Sequence, residues 1–323
     1  MRKRFLIVLA TLLCSFASLP ASSSQEYPNK PIRLIVPLGA GGASDVVARV
    51  IATRLSERLG QSVVVENRPG AEGVIGVDAA AHSAPDGYTL VLGSSTTLAA
   101  NYYLRKQLPF NPLKDLVPVA MAVKNAFNVL VVNPEVPAAN LQEFIALAKA
   151  EPGKLNYGTG TSGSRICVEM LKNRAAINIT TVNYKSSPAS ITDLISGRID
   201  LVCEPFMSAL PYIRDGKLRA LAVTSPQRLA SIPSVPSVAE SGFPGFEYSA
   251  WVGVFAPSGI SAQVTRRISD ELAVVLKEPE TVLKIQATGF DPMIGGSDDL
   301  AALLKKEMEQ AQSVVKSAGL QPE

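Results

Sequence analysis

The chain has 323 residues, 47% of them hydrophobic, with 31 lysines and arginines against 28 aspartates and glutamates. That length supports two lobes, each with its own core. A single histidine and no CxxC pair exclude the usual zinc sites, and the lack of a basic stripe excludes nucleic acid as a partner.

Taken in chain order, the first segment is "MRKRFLIVLATLLCSFASLPASSS". Arg2, Lys3 and Arg4 precede an apolar stretch from Phe5 to Leu19, and small residues follow Pro20. This pattern reads as a secretory leader over residues 1–24, with cleavage expected near Ser22–Ser24. The run is shorter than the roughly 20 apolar residues of a membrane span. Leu13 is too large for the position before a lipidated cysteine, so Cys14 does not read as an anchor. A soluble, exported, periplasmic protein is expected, by either the general or the twin-arginine route. The leader takes three basic residues and leaves 28 against 28, so the mature chain is balanced. Cys167 and Cys203 remain, either paired in the oxidising compartment or as two buried thiols.

Past the leader, "IRLIV" (32–36), "SVVVEN" (62–67) and "YTLVLGS" (88–94) read as strands. Between the first two, Val47, Ile51, Leu55 and Leu59 recur at helical spacing before Gly60. "GVIGVDAAAHSA" reads as a second helix ended by "PDG". Alternating strands and helices predict an α/β fold with parallel strands and right-handed crossovers. The pattern then restarts, with a strand at 128–133, a helix at 140–150, a strand at 155–158 running into a turn, and a helix at 165–175. Strands at 181–185, 199–205 and 218–225, a helix at 191–198 and a strand at 247–257 continue it. Helical patterns at 261–276, 279–287 and 298–318 close the chain. Two lobes are expected, 25–125 plus 246–323 and 126–245, with crossings near 122–128 and 245–252.

Two glycine-rich turns, 39–45 and 158–164, each follow a strand and open a helix. If the lobes face each other, two helix N-termini converge on one cleft. Their unpaired N–H groups and partial positive charge suit a small anion. A dinucleotide site is the competing reading. Gly39-x-Gly41-x-x-Ser44 nearly matches GxGxxG, and Glu66 ends the second strand where a ribose-binding acid would sit. Export and the carboxylate of Asp45 at the helix start, which would repel a pyrophosphate, argue against it. No P-loop, GxSxG elbow or serine–histidine–acid set is present, and His82 reads as a helix-end residue. No catalysis, metal or cofactor is expected.

Several motifs together resemble a known family. These are "VPLGAGGASDVVAR" (36–49), "VENRPGAEGVIG" (65–76), "APDGYTL" (84–90), "SGRIDLVCEP" (196–205), "LRALAVTSPQR" (218–228) and "SVPSVAESGFPGFEYSAWVGVFAPSG" (234–259). The chain resembles the substrate-binding receptors of tripartite tricarboxylate transporters, the Bug family, over nearly its whole mature length. The resemblance implies an α/β, two-lobed periplasmic-binding-protein architecture (type II, Venus-flytrap), with a helix-flanked β-sheet in each lobe. It implies a monomer that binds a small molecule, a carboxylate, and delivers it to membrane permease subunits. A sensor feeding a signalling protein would share this sequence. The chain departs from the family pattern at Leu38, where an aromatic residue is common, at Gly39 and Ala40, where prolines are common, and at Arg165, in place of a histidine. Asn183 and Ser186 are further substitutions, beside the matching pair Tyr184 and Lys185.

The ligand-binding candidates are Leu38, Gly41, Gly42, Ser44, Asp45, Ser94, Ser95, Thr159, Thr161, Ser162, Arg165 and Tyr184. Gly41 and Gly42 either let the backbone approach a ligand or make a turn that needs positive φ. Ser44 donates to the ligand or caps the helix. Asp45 binds an amino group, holds a water network, or complements the helix N-terminus. Ser94, Ser95 and Thr96 follow the third strand, where open α/β sheets bind ligands, and also suit a cap. Thr159, Thr161 and Ser162 offer hydroxyls and amides from the second lobe. Arg165 either makes charge-assisted bonds to a carboxylate, worth roughly 1.5–3 kcal/mol, or is a solvated helix arginine. Phe206 and Trp251 read as core.

Overall fold

The computed structural model describes residues 27–184 and 186–322. The expected leader with Cys14, and Lys185, lie outside the described residues. In chain order the elements are β1 (Ile32–Val36), α1 (Ala43–Leu59), β2 (Val63–Asn67), α2 (Val74–Ala81) and β3 (Thr89–Ser94). A π-helical turn (Ser95–Ala100) then runs into α3 (Asn101–Leu104) and β4 (Leu116–Val132). The middle of the chain forms α4 (Leu141–Ala150), β5 (Asn156–Thr159), α5 (Ser162–Ala175), β6 (Thr180–Asn183), α6 (Ser187–Ile195), β7 (Leu201–Pro205), α7 (Phe206–Arg214) and β8 (Arg219–Val223). It returns through β9 (Ser249–Pro257), α8 (Ala262–Val275), α9 (Pro279–Gln286), β10 (Asp291–Pro292) and α10 (Ser297–Ser317).

The strands follow the order β2-β1-β3-β9-β4-β7-β5-β6, with β8 and β10 also paired to β4. Strand β4 belongs to two half-sheets. From Leu116 to Phe127 it pairs antiparallel with β9, and from Asn128 to Val132 with β7 and β8. The halves repeat one plan, β2-β1-β3-β9-β4 and β6-β5-β7-β4-β8, in which two parallel neighbours flank each first strand. This is the two-lobed α/β architecture the resemblance implies. The sequence pattern starts a strand at residue 128, whereas the structure starts it at Leu116. Pro118 interrupts the pattern, and a register shift between Pro118 and Ala120 absorbs it.

Helix α1 buries Val47, Ile51, Leu55 and Leu59 against β1 and α8 in one core and ends at Gly60, whose φ of 66° suits a left-handed cap. A second cluster on the other face of that half-sheet contains Leu300, Leu304 and Met308 of α10. Further along α10, Ala311 and Val314 join the core built around α4, α5 and β7. The same helix therefore packs against both halves. Cys167 of α5 and Cys203 of β7 form a disulfide, with Cα atoms 6.5 Å apart. That settles the choice between a pair and two thiols. No helix among the described residues is long and apolar enough to cross a membrane.

Candidate functional site

The turn after β1 is held from within. Gly41 has φ +80°, open to glycine, and its N–H donates to Asp45 Oδ2 at 2.9 Å. Arg49 Nε donates to the same oxygen at 3.0 Å, and Asn67 Nδ2 donates to Asp45 Oδ1 at 2.9 Å. Asp45 is buried. The bond from Arg49, helped by those from Gly41 and Asn67, holds its carboxyl down at about 2. Its oxygens are thus engaged in shaping the turn, and α1 presents its N-terminal N–H groups beyond it.

The turn after β5 is built the same way. Thr159 Oγ1 donates to Thr161 O at 2.8 Å, and Thr161 caps α5 by accepting from Ser164 N–H at 3.1 Å. Ser164 Oγ donates to the carbonyl of Cys203 at 2.7 Å. A Cβ on Gly160 would run into the backbone of Ser186 and Ser187, so glycine lets this turn pack on the start of α6.

Between the turns lies a cleft of about 490 Å³. Its polar lining includes Ser44, Thr96, Thr161 and Ser187, and its apolar wall includes Phe127, Phe206, Met207, Trp251 and Phe290. The first residues of α1, α6 and α7 open onto it. No lysine, arginine or histidine is among the described residues that line it. A second cavity of about 330 Å³ adjoins it, lined by Arg105, Arg165, Asn183 and Tyr184 among others. Glu72 and Thr161 line both.

The expected site residues divide between these spaces. Leu38, Gly42, Ser44, Asp45 and Ser94 line the larger cleft, Thr159, Ser162, Arg165 and Tyr184 the smaller cavity, and Thr161 both. Two placements differ from expectation. Gly41 lines neither space and instead supplies the turn's positive φ. Ser95 is buried beside Tyr248 and Glu307, while Thr96, the next residue of the π-helical turn, lines the cleft. Ser94 also has a capping role, since its Oγ accepts from Thr97 N–H at 3.2 Å while Thr97 Oγ1 accepts from Ser94 N–H at 2.9 Å. The Tyr184 hydroxyl donates to Asp193 at 2.9 Å.

Sequence reasoning missed Glu72, Phe127, Met207, Ser187 and Phe290, and it read Phe206 and Trp251 as core although both also line the cleft. The one available signal was a charge inside the glycine turn "PGAEG". Elsewhere, Glu66 is engaged by Arg33 at 3.5 Å and by Arg68, and His82 ends α2 with Nδ1 3.0 Å from the Asp78 carboxylate. Behind the cleft, Glu204 of β7 is fully buried, 3.5 Å from Ser190 Oγ. Burial pushes its carboxyl up to about 7.

The family described as "Tripartite tricarboxylate transporter family receptor" matches residues 47–320. Protein BugT of Bordetella pertussis (strain Tohama I) is 37% identical over 319 residues, spanning 98% of this chain and 98% of its own. Among solved structures, an R. palustris protein with adipate is 31% identical with a TM-score of 0.82, covering 92% of this chain and 100% of its own. MatC from Rhodopseudomonas palustris, with bound malate, is 28% identical with a TM-score of 0.77, covering 90% and 100%.

Proposed function

The chain belongs to the tripartite tricarboxylate transporter receptor family, a family of periplasmic solute receptors, and from that premise we propose that it binds a small carboxylate in the larger cleft and delivers it to membrane permease subunits. The observation that carries this reading is the convergence of three helix N-termini, from α1, α6 and α7, on one space of about 490 Å³. The N-terminal N–H groups of α1 and α7, with the hydroxyls of Ser44, Thr96 and Ser187, are the donors offered to an anion there; in α6 Pro188 has no N–H and Ala189 N–H is bonded to the Ser186 carbonyl. Similarity to receptors solved with adipate and malate supports a carboxylate. Among the described residues that line the cleft, none pairs a nucleophile with a base, and binding is the activity the site suits.

In this reading Leu38, Gly42, Ser44 and Ser94 contribute to the ligand wall from one lobe and Thr161 from the other, while Gly41 and Asp45 hold the first turn in shape. Thr159, Ser162, Arg165 and Tyr184 shape the facing side. The lobes comprise 25–125 plus 246–323 and 126–245. They close by bending where β4 changes partners, between Phe127 and Asn128, and where the chain returns into β9. The protein acts as a periplasmic monomer after loss of its leader.

A thermal-shift screen of the mature protein tests this, using mono-, di- and tricarboxylates, amino acids, aromatic acids and NAD. A ligand at a hundred times its Kd adds about 2.7 kcal/mol, a rise of roughly 5 °C for a chain of this size. A saturable rise with a carboxylate class is expected. A rise with NAD alone overturns the reading.

A further inference from the structure

Glu72 stands where the two cavities meet, in a backbone conformation that side chains rarely adopt. Ala71 and Glu72 have φ of +46° and +54°, between Gly70 at +135° and Gly73 at +92°. Two consecutive non-glycine residues in the left-handed region are costly, and such strain persists only where surrounding contacts fix it. Those contacts are present. Glu72 Oε2 accepts the N–H of Ser162, the first residue of α5, at 2.7 Å. Oε1 lies 3.0 Å from Arg105 Nη2, and Asn101 Nδ2 donates to the Glu72 carbonyl at 3.1 Å. The bond to Ser162 crosses from the turn after β2 to the opposite half of the molecule.

The two spaces on either side of Glu72 differ in chemistry. The larger has an aromatic and aliphatic wall together with hydroxyls and the carboxylates of Asp45, Glu72 and Asp291, and no basic side chain among the described residues of its lining. The smaller holds Arg105 and Arg165. A ligand with two carboxylates spanning both spaces would place its second anion beside Arg105 and the α5 N-terminus. The protein's own carboxylate already fills that seat and would repel a second one.

We propose that Glu72 sets the ligand class: it partitions the interlobe space and fills the second anion seat, so that the ligand is a monocarboxylate with an alkyl or aryl body lying in the larger chamber. The apolar body packs on Phe127, Phe206, Trp251 and Phe290, and the single carboxylate meets the helix N-termini. This inference rests on the larger cleft being a carboxylate site.

Isothermal titration of the mature protein with two matched pairs, hexanoate with adipate and benzoate with terephthalate, tests it in native, Glu72→Gly and Glu72→Gln forms. Glycine accepts φ +54° without strain, so that variant keeps the turn, and glutamine keeps the bulk while removing the charge. The native protein is expected to favour the monocarboxylate of a pair by about tenfold or more, the scale of one charge-assisted hydrogen bond. Glu72→Gly shifts that ratio towards the diacid by about tenfold, and Glu72→Gln shifts it less. Native preference for the diacid overturns the proposal, as does a ratio that stays within about twofold of native in both variants. If none of the four acids binds but malate or citrate does, the proposal fails and the carboxylate receptor reading stands. If no carboxylate binds at all, both fall.

Discussion

A carboxyl group buried without a charged partner keeps its proton, and Glu204 carries that cost for this protein. Its folded value of about 7 lies above its ordinary 4.5, with burial as the leading cause. Between pH 4.5 and 7 the folded chain holds a proton that the unfolded chain has released, so stability falls as pH rises through that window. Glu307, on α10, is likewise pushed up to about 7, mainly by burial, and adds to the same trend. Asp45 acts in the opposite sense. Its carboxyl is held at about 2 against an ordinary 3.8, chiefly by Arg49, so its contribution is present above 3.8 and lost as pH falls towards 2. Glu204→Gln, which mimics the protonated acid, is expected to match the native protein near pH 4.5 and to exceed it by about 1–3 kcal/mol at pH 8. Urea titrations at the two pH values measure the gap. A gap that does not widen with pH would mean Glu204 is not the source.

Among the elements, α5 is tied to its neighbour β7 by a covalent bond. Its disulfide to β7 closes a loop of sequence separation 36, a constraint on the unfolded chain worth about 3–4 kcal/mol. Replacing both Cys167 and Cys203 by alanine is expected to lower the unfolding free energy by about that amount in a denaturant titration. It should also weaken ligand binding, because the Ser164 bond to the Cys203 carbonyl sits beside the same bridge. An unchanged midpoint would show that packing alone holds α5. Not all of this was legible in the sequence. Helix α1 was, since Val47, Ile51, Leu55 and Leu59 repeat at one spacing and Gly60 ends it. The first half of β4 was not, because a strand serving two half-sheets carries Pro118 and register shifts that blur its pattern. The two glycine turns were legible as turns, yet which side chain faces the cleft depends on local winding: the π-helical turn exchanges Ser95 for Thr96. Glu72 left only its charge inside "PGAEG" as a signal, because its partner, Ser162, lies 90 positions away.

For the molecule as a whole, the proposed closure depends on what lies between the halves. Strand β4 joins them as one continuous ribbon, and α10 packs Leu300 and Leu304 on one side and Ala311 and Val314 on the other. Any opening therefore has to slide the end of α10 against its neighbours in the second half or carry it along. On the cleft side the halves meet at Gly163 and Thr96. A Cβ on Gly163 would lie 2.6 Å from Thr96 Oγ1 and 2.9 Å from Tyr248 Oη, closer than real contacts allow. Gly163 lies in the first turn of α5, and alanine favours a helix over glycine by about 0.8–1 kcal/mol. Gly163→Ala sets that gain against two contacts: Tyr248, packed in the same core as α5, is met in every form, and Thr96 only where the halves meet. It is expected to destabilise the ligand-free protein by about 1–3 kcal/mol through the crowded Tyr248, while ligand affinity falls by about tenfold or more because the closed form is wedged apart. Small-angle scattering should show the saturated variant less compact than the saturated native protein. Full affinity with native compaction would mean that binding does not require the two halves to meet at Thr96.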